Sequence, residues 1–69
     1  MKTLDVVATL REYPEQHIGK GQVGTVVEQL DGDHVLVEFA NFDGIAYAIL
    51  PIPAEHLIQL KHPPTIPWA

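Results

Sequence analysis

The chain has 69 residues, carries four basic and nine acidic side chains for a formal net charge of −5, and contains no cysteine. This length fits one domain with one small core, and the lack of cysteine excludes disulfides, cysteine-bound zinc and thiol catalysis. No apolar run reaches the ~18 residues of a membrane span, and no secretory leader is recognisable, so we expect a cytoplasmic protein.

The first predicted elements are a strand and a long loop. Apolar and other residues alternate with period two over residues 4–10, which predicts a half-buried strand. Its more apolar face carries four residues: Leu4, Val6, Ala8 and Leu10. Residues 12–20 are predicted to form a loop, because Pro14 cannot donate to a strand ladder. Gly19 and Gly21 indicate a tight turn at the end of this loop.

The second predicted strand covers residues 22–30 and contains Gly24. A glycine inside a strand often marks a β-bulge, and a bulge here lets Val23 and Val26 both point into the core. The same glycines spell the phosphate-binding pattern G-x-G-x-x-G over residues 19–24. That motif requires a helix after it, whereas a valine-rich strand follows, so the structural interpretation is favoured.

Two hairpins are predicted in the middle of the chain. Asp31 and Gly32 form a strong hairpin signal ahead of a strand over residues 34–40, the clearest alternation in the sequence. A second turn ends at Gly44 and leads into a strand over residues 45–50. The prolines that follow, at positions 51 and 53, are predicted to stop that strand.

The last elements are short. Residues 53–57 begin with proline and are predicted to form one 3₁₀ turn, followed by a final strand over residues 58–61. Residues 62–69 contain three prolines and are predicted to form an extended tail. The sequence therefore predicts an all-β fold, a five-stranded and partly open barrel over residues 1–61 with one 3₁₀ turn before the last strand.

This layout of first strand, long loop, three-strand meander, 3₁₀ turn and last strand resembles that of SH3-like barrels. The stretch GKGQVGTVVEQLDGDHVLVEF is similar to the glycine–hydrophobic core of small SH3-like domains in ribosome- and transcription-associated proteins. Five blocks in order, LDVVATL, GQVGTVVEQL, VLVEF, DGIAYAIL and PAEHLIQL, resemble a family of small uncharacterised bacterial proteins, often cyanobacterial, over residues 4–60. The resemblance implies an SH3-like barrel and brings no catalytic residues. Genes of this family that lie beside genes for toxin-like proteins imply an antitoxin or immunity role.

The sequence offers little for catalysis or metal binding. Four histidines occur, at positions 17, 34, 56 and 62, but no two have the helical spacing of H-E-x-x-H. The aspartates at positions 31, 33 and 43 lack the full calcium-loop pattern, so they are interpreted as turn residues. The chain has no serine or cysteine, and its three threonines have no evident base beside them. We therefore expect no enzyme activity, no bound metal and no cofactor.

The aromatic residues suggest a binding site. Tyr13, Phe42 and Tyr47 are candidates for a small apolar patch of the kind that binds partner peptides. The alternative is that Phe39 and Tyr47 belong to the core and Tyr13 covers an open barrel end. Trp68 in the proline-rich tail is a further candidate, either docked on the same chain or a neighbour, or free at a frayed terminus. A homodimer through this tail is one form of that docking.

Five glycines are assigned structural roles rather than chemistry. They are predicted to serve the turns and the bulge: Gly19, Gly21, Gly24, Gly32 and Gly44. The expected function is then a non-catalytic protein-binding or adaptor module. The alternatives are an antitoxin or immunity protein that neutralises a basic toxin, and a nucleic-acid or ribosome-associated domain. The last is disfavoured, because the cations at positions 2, 11, 20 and 61 are scattered and the net charge is acidic.

Overall fold

The computed structural model describes residues 1–41, 43 and 45–60, which form five strands and two 3₁₀ turns. The strands are β1 (Val6–Thr9), β2 (Val23–Gln29), β3 (His34–Ala40), β4 (Ala46–Pro53) and β5 (Leu57–Gln59). One 3₁₀ turn, Pro14–Gln16, lies in the loop after β1, and the other, Ala54–His56, precedes β5. These elements confirm the all-β fold, the five strands and the 3₁₀ turn before the last strand. The predicted tail, residues 62–69, lies outside the described residues.

All five strands form one antiparallel sheet in the order β4-β3-β2-β1-β5. Strands β1 to β4 follow each other as neighbours, and β5 returns to pair with β1, where Ile58 lies opposite Ala8. On its other side Ala8 lies opposite Val23 of β2. The sheet is open, with β4 and β5 at its two edges.

One hydrophobic cluster joins the inner side of the sheet. It takes residues from every strand and from the loop after β1: Val7, Ile18, Val26, Val35, Val37, Phe39, Ile52 and Leu57. Burial of an aliphatic or aromatic side chain of this size contributes roughly 1.5–3 kcal/mol, so this cluster is the main source of stability. Ile18 closes one end of the cluster from the loop.

The inner face of β1 is the one that looks less apolar in the sequence. Val7 and Thr9 point into the core and are almost completely buried. Leu10, on the more apolar face, is instead exposed, as is Leu4. Alternation divides a strand into two faces, but the neighbouring strands decide which face becomes the inner one.

The bulge in β2 lies farther along the strand than predicted. Gly24 pairs in regular register with Val7, and the register of the β2–β3 ladder shifts between Val26 and Glu28. Val26 is buried as expected, but Val23 points outward and is exposed. Gly24 is required for a different reason. Any other residue would place a Cβ atom 2.7 Å from Val37 Cγ1 and 2.8 Å from Phe39 Cε1.

Strand β4 continues through Pro51 and ends at Pro53, so the prediction that it stops after residue 50 is wrong. Pro51 lies opposite Leu36 and Pro53 opposite His34 in the β3–β4 ladder. Proline is tolerated in an edge strand where its missing N–H would face away from the neighbour. The sequence does not show that β4 is an edge strand, since that depends on the order of strands in the sheet.

The turn between β2 and β3 is held by a side chain. Asp31 Oδ1 accepts hydrogen bonds from the backbone N–H groups of Asp33 and His34, both at 2.9 Å. Gly32 does not adopt a positive φ, so the carboxylate rather than glycine freedom organises this hairpin. Gly21 does use a positive φ, of 82°, in the turn that leads into β2, and Gln22 N–H donates to the Gly19 carbonyl there at 3.3 Å.

Candidate protein-binding surface

The start of β4 and the residue before it carry three exposed apolar side chains, which we call the stripe and define as Ile45, Tyr47 and Ile49. Their exposed fractions are 64, 43 and 54 per cent. The β3–β4 register shifts at Tyr47, because Ala48 lies opposite Phe39 and Ala46 lies opposite Ala40. Three alternate residues of the strand face the core: Ala48, Leu50 and Ile52. An edge strand that presents large apolar side chains to solvent is a template for pairing with another chain.

The hydrogen-bonding pattern of β4 shows which part of its edge is free. The N–H of Ala54 donates to the Asp33 carbonyl at 2.7 Å. Because hydrogen-bonded pairs alternate with non-bonded pairs in an antiparallel ladder, Pro53, Pro51 and Ile49 fall in non-bonded pairs with β3. Their backbone groups point away from the sheet, and only Ile49 among these three has an N–H. The prolines therefore block the end of the edge, and the segment near Ile49 keeps both donor and acceptor.

A groove of about 430 Å³ runs beside the stripe, between β4 and the loop after β1. One wall is formed by Tyr47 to Leu50, and the other by Glu15, Gln16 and His17. His17 adopts a left-handed backbone conformation, with φ of 60°, directly after the 3₁₀ turn. The groove brings an acidic side chain next to the apolar stripe.

Tyr47 is tied to the loop through Gln22. The side-chain amide of Gln22 donates to the Tyr47 hydroxyl. The Gln22 amide oxygen accepts from the N–H of Gly19 at 3.2 Å, so the same side chain also braces the turn before β2. Tyr47 therefore has a fixed hydroxyl and an exposed ring, which is a low-entropy arrangement for a contact residue.

A buried threonine anchors the loop to the inner face of β1. The Thr9 hydroxyl donates to the Gly19 carbonyl at 2.7 Å and accepts from the N–H of Gln22 at 3.0 Å. Thr9 is the one buried polar side chain among the described residues. Both of its hydrogen-bonding roles are satisfied, so it holds the loop in place without an unpaired buried group.

Tyr13 joins the loop to the 3₁₀ turn before β5. Its hydroxyl lies 3.1 Å from His56 Nδ1, and its backbone pairs with Ile18 at the base of the loop. The ring packs against the core cluster. Burial raises the pKa of the Tyr13 hydroxyl, and the nearby Arg11 partly opposes that shift. Tyr13 therefore lies against this end of the core.

The predicted site residues are not all in one place. Tyr13 contacts His56, whereas Tyr47 contacts Gln22, and Tyr47 is half-exposed rather than part of the core. Phe42, Gly44 and Trp68 lie outside the described residues, so their assigned roles stay predictions. The sequence interpretation named neither Ile49 nor Gln22 as a site residue. Alternation in the sequence places Ile45, Tyr47 and Ile49 on one face, but the register shift at Tyr47 interrupts that alternation in the structure. Gln22 had no signal in the sequence.

The described residues show no constellation for metal binding. Within residues 1–41, 43 and 45–60, no group of three or more His, Asp or Glu side chains lies close enough to hold an ion. His34 contacts the Asp31 carboxylate at 3.2 Å, and His56 lies 3.9 Å from Glu55. These histidines belong to different parts of the fold. In the same part of the chain, no helix has the length and apolar character that crossing a membrane requires.

Comparison with known proteins gives one match. A family model described as a domain of unknown function, DUF4926, matches residues 3–59. Neither a curated protein nor a solved structure matches the chain. The match covers every strand and both 3₁₀ turns, and it ends just before Leu60.

Proposed function

The chain belongs to the family described as a domain of unknown function (DUF4926), and we propose that it is a non-catalytic protein-binding module with an SH3-like barrel. In this proposal a partner segment binds along β4, in the groove between the stripe and the loop. The strand order β4-β3-β2-β1-β5 and the 3₁₀ turn before β5 support the SH3-like assignment. A bacterial origin and a cytoplasmic location are part of the same proposal and rest on the sequence.

The observation that carries the proposal is the exposed stripe on an edge strand. A lone exposed aliphatic residue is ordinary, but three large apolar side chains exposed close together on an edge strand are not. Natural proteins protect edges with charges, prolines or bulges. Here the prolines protect only the end of β4, and the stretch from Ile45 to Ile49 has no charged residue.

The charges around the stripe favour a partner with basic side chains. Glu15 lines the groove, and Glu38 lies directly opposite Ile49 on the same side of the sheet. The chain as a whole carries a net charge of −5. An extended segment with apolar residues at alternate positions and lysine or arginine between or beside them would match both features.

A basic toxin neutralised by this chain is the alternative that the same charges support. Such a toxin would make the same kinds of contact as the ligand of an adaptor. The difference is that binding to this chain would abolish the activity of the toxin. A nucleic-acid partner is the weaker alternative, because the acidic residues beside the stripe repel phosphates.

We test the proposal with three immobilised baits: wild type, Ile49→Lys and Leu30→Lys. Leu30 is an exposed aliphatic residue of the same size as Ile49, but it lies outside the stripe. It is therefore the matched control. We expect one protein to bind wild type and Leu30→Lys and to lose affinity for Ile49→Lys by about 30-fold, the loss that a hot-spot residue worth about 2 kcal/mol produces. Calorimetry with the purified partner measures the loss.

Thermal melting of the three baits checks that each is folded, since surface changes are expected to alter stability by only about 0.5 kcal/mol. A basic partner supports the charge argument, and loss of the partner's toxicity identifies the antitoxin alternative. Equal binding to all three baits contradicts a site on β4. Retention on RNA at about 0.15 M salt, with no protein captured, replaces the proposal with the nucleic-acid alternative.

A further inference from the structure

A second apolar surface lies at the opposite edge of the sheet. We name it the β5 face and define it by six outward residues of β2, β1, β5 and their continuations: Val6, Ala8, Leu10, Val23, Ile58 and Leu60. Val23, Ala8 and Ile58 form one row across the three strands. Leu60 lies beside Val6 in the next row, since its N–H donates to the Val6 carbonyl at 2.8 Å.

Among the described residues, the β5 face carries no charged side chain, and most of its side chains are exposed, although the small Ala8 at its centre is only 9 per cent exposed. Val23 and Ile58 are each 52 per cent exposed, and Leu10 and Leu60 are also exposed. Thr25 lies opposite Val6, and the first charged residue on this side of the sheet is Glu38, opposite Thr25 on β3. An antiparallel sheet with one solvated face usually presents alternating polar residues to water, so this face departs from the usual pattern.

The size of the β5 face suits a short segment rather than a second protein. Its four exposed aliphatic side chains present on the order of 300 Å² of apolar surface, whereas a stable interface buries about 800 Å² on each partner. The β5 face is therefore too small to form a stable interface with a second copy of this chain.

We propose that the C-terminal segment of the same chain, residues 61–69, covers the β5 face. This segment begins directly after Leu60, which is itself part of the face. Nine residues in an extended polyproline conformation would span about 28 Å, at ~3.1 Å per residue. The three strands of the face are about 10 Å wide, at roughly 4.8 Å between strands, so the segment is long enough to fold back across them.

The composition of the segment matches the surface. The segment KHPPTIPWA has three prolines, one isoleucine, one tryptophan, one lysine at its start and no acidic residue. Prolines lack the N–H that a sixth strand would need, so pairing with the edge of β5 is disfavoured and packing on its apolar side is favoured. Proline-rich segments lose little conformational entropy when they bind an apolar surface, and tryptophan supplies a large contact area.

The experiment uses Trp68 as the probe, since it is the single tryptophan of the chain. Full-length wild type is compared with Ile58→Lys, on the β5 face, and Ile49→Lys, on the β4 stripe. The two isoleucines have nearly equal exposure, so the substitutions are matched. We expect a blue-shifted emission in wild type and Ile49→Lys, and a water-like emission with several-fold stronger acrylamide quenching in Ile58→Lys.

Nuclear Overhauser contacts between the Trp68 indole and the methyl groups of Val23 or Ile58 provide a second readout that needs no variant. The proposal is overturned if wild-type emission equals that of a free peptide of residues 61–69, or if the two lysine variants respond equally. It is also overturned if the blue shift fades on dilution, since that would make a second copy the occupant. Each outcome is independent of partner binding at β4.

Discussion

The inner and outer faces of this sheet are both rich in aliphatic residues, but they differ in how tightly they are packed. On the inner face, Val7, Val26 and Phe39 have no exposed surface, and there is no room for a single methyl group at Gly24. On the outer face, Ile49 and Ile58 are each more than half exposed. Apolar composition alone therefore does not identify the core of this protein.

The contrast shows where a small domain can place binding surface. A chain of 69 residues forms one hydrophobic core, and in this sheet that core lies on the inner side only. Exposed side chains outside that core contribute little to folding stability, and they remain available for contacts with other segments. The β4 stripe and the β5 face are the two regions of this kind among the described residues.

The largest expected effect tests the tightness of the inner face. Gly24→Val places a Cβ atom 2.7 Å from Val37 Cγ1 and adds two methyl groups beyond it. Since backbone and ring must both move, we expect a loss of about 3 kcal/mol or more in the free energy of unfolding, measured by urea denaturation. Gly19→Val, where a Cβ atom meets nothing within 4 Å, is the control. Equal losses at the two glycines would show that packing does not require Gly24.

The next effect compares the same substitution on the two faces. Thr9→Val keeps the side-chain shape but removes the donor to Gly19 and the acceptor for Gln22. We expect a loss of about 1–2 kcal/mol in the free energy of unfolding, because buried backbone groups lose a partner. Thr25→Val, on the partly exposed outer face, is expected to change it by less than about 0.5 kcal/mol. A smaller effect at Thr9 than at Thr25 would contradict the assignment of the two faces.

The smallest expected effect lies at the exposed rim, in the turn of Asp31. Hydrogen bonds from the Asp33 N–H and the His34 side chain lower the pKa of the Asp31 carboxyl below its ordinary value of 3.8. As the pH falls, the unfolded chain therefore binds this proton first, so the stabilisation is present above the ordinary pKa and is lost as the pH falls through the folded-state pKa. The stability difference between wild type and Asp31→Asn should disappear over that range. Parallel pH profiles for the two proteins would contradict this.

Some elements were predictable because their signals are local. Strand β3 has the predicted bounds, since strict alternation and the Asp31 turn before it depend only on nearby residues. The 3₁₀ turn Ala54–His56 follows from the proline ahead of it. In the candidate surface, the sequence prediction named Tyr47 by its residue type but not Ile49, whose place opposite Glu38 depends on the β3–β4 pairing.

Other features depend on the arrangement of strands and were not predictable. The bulge at Val27 rather than Gly24, and the inward direction of Thr9, follow from pairing with other segments of the chain. Strand β4 tolerates Pro51 because it lies at the edge of the sheet, and edge position is a property of the whole sheet.

The sequence by itself determined that this protein has five short strands joined by tight turns, because alternation, glycine, proline and aspartate act over a few residues. Only the tertiary structure decided which side of each strand closed onto the core and which apolar side chains stayed exposed. The physical reason is that burial depends on what packs against a residue, and in a sheet those neighbours come from distant parts of the chain.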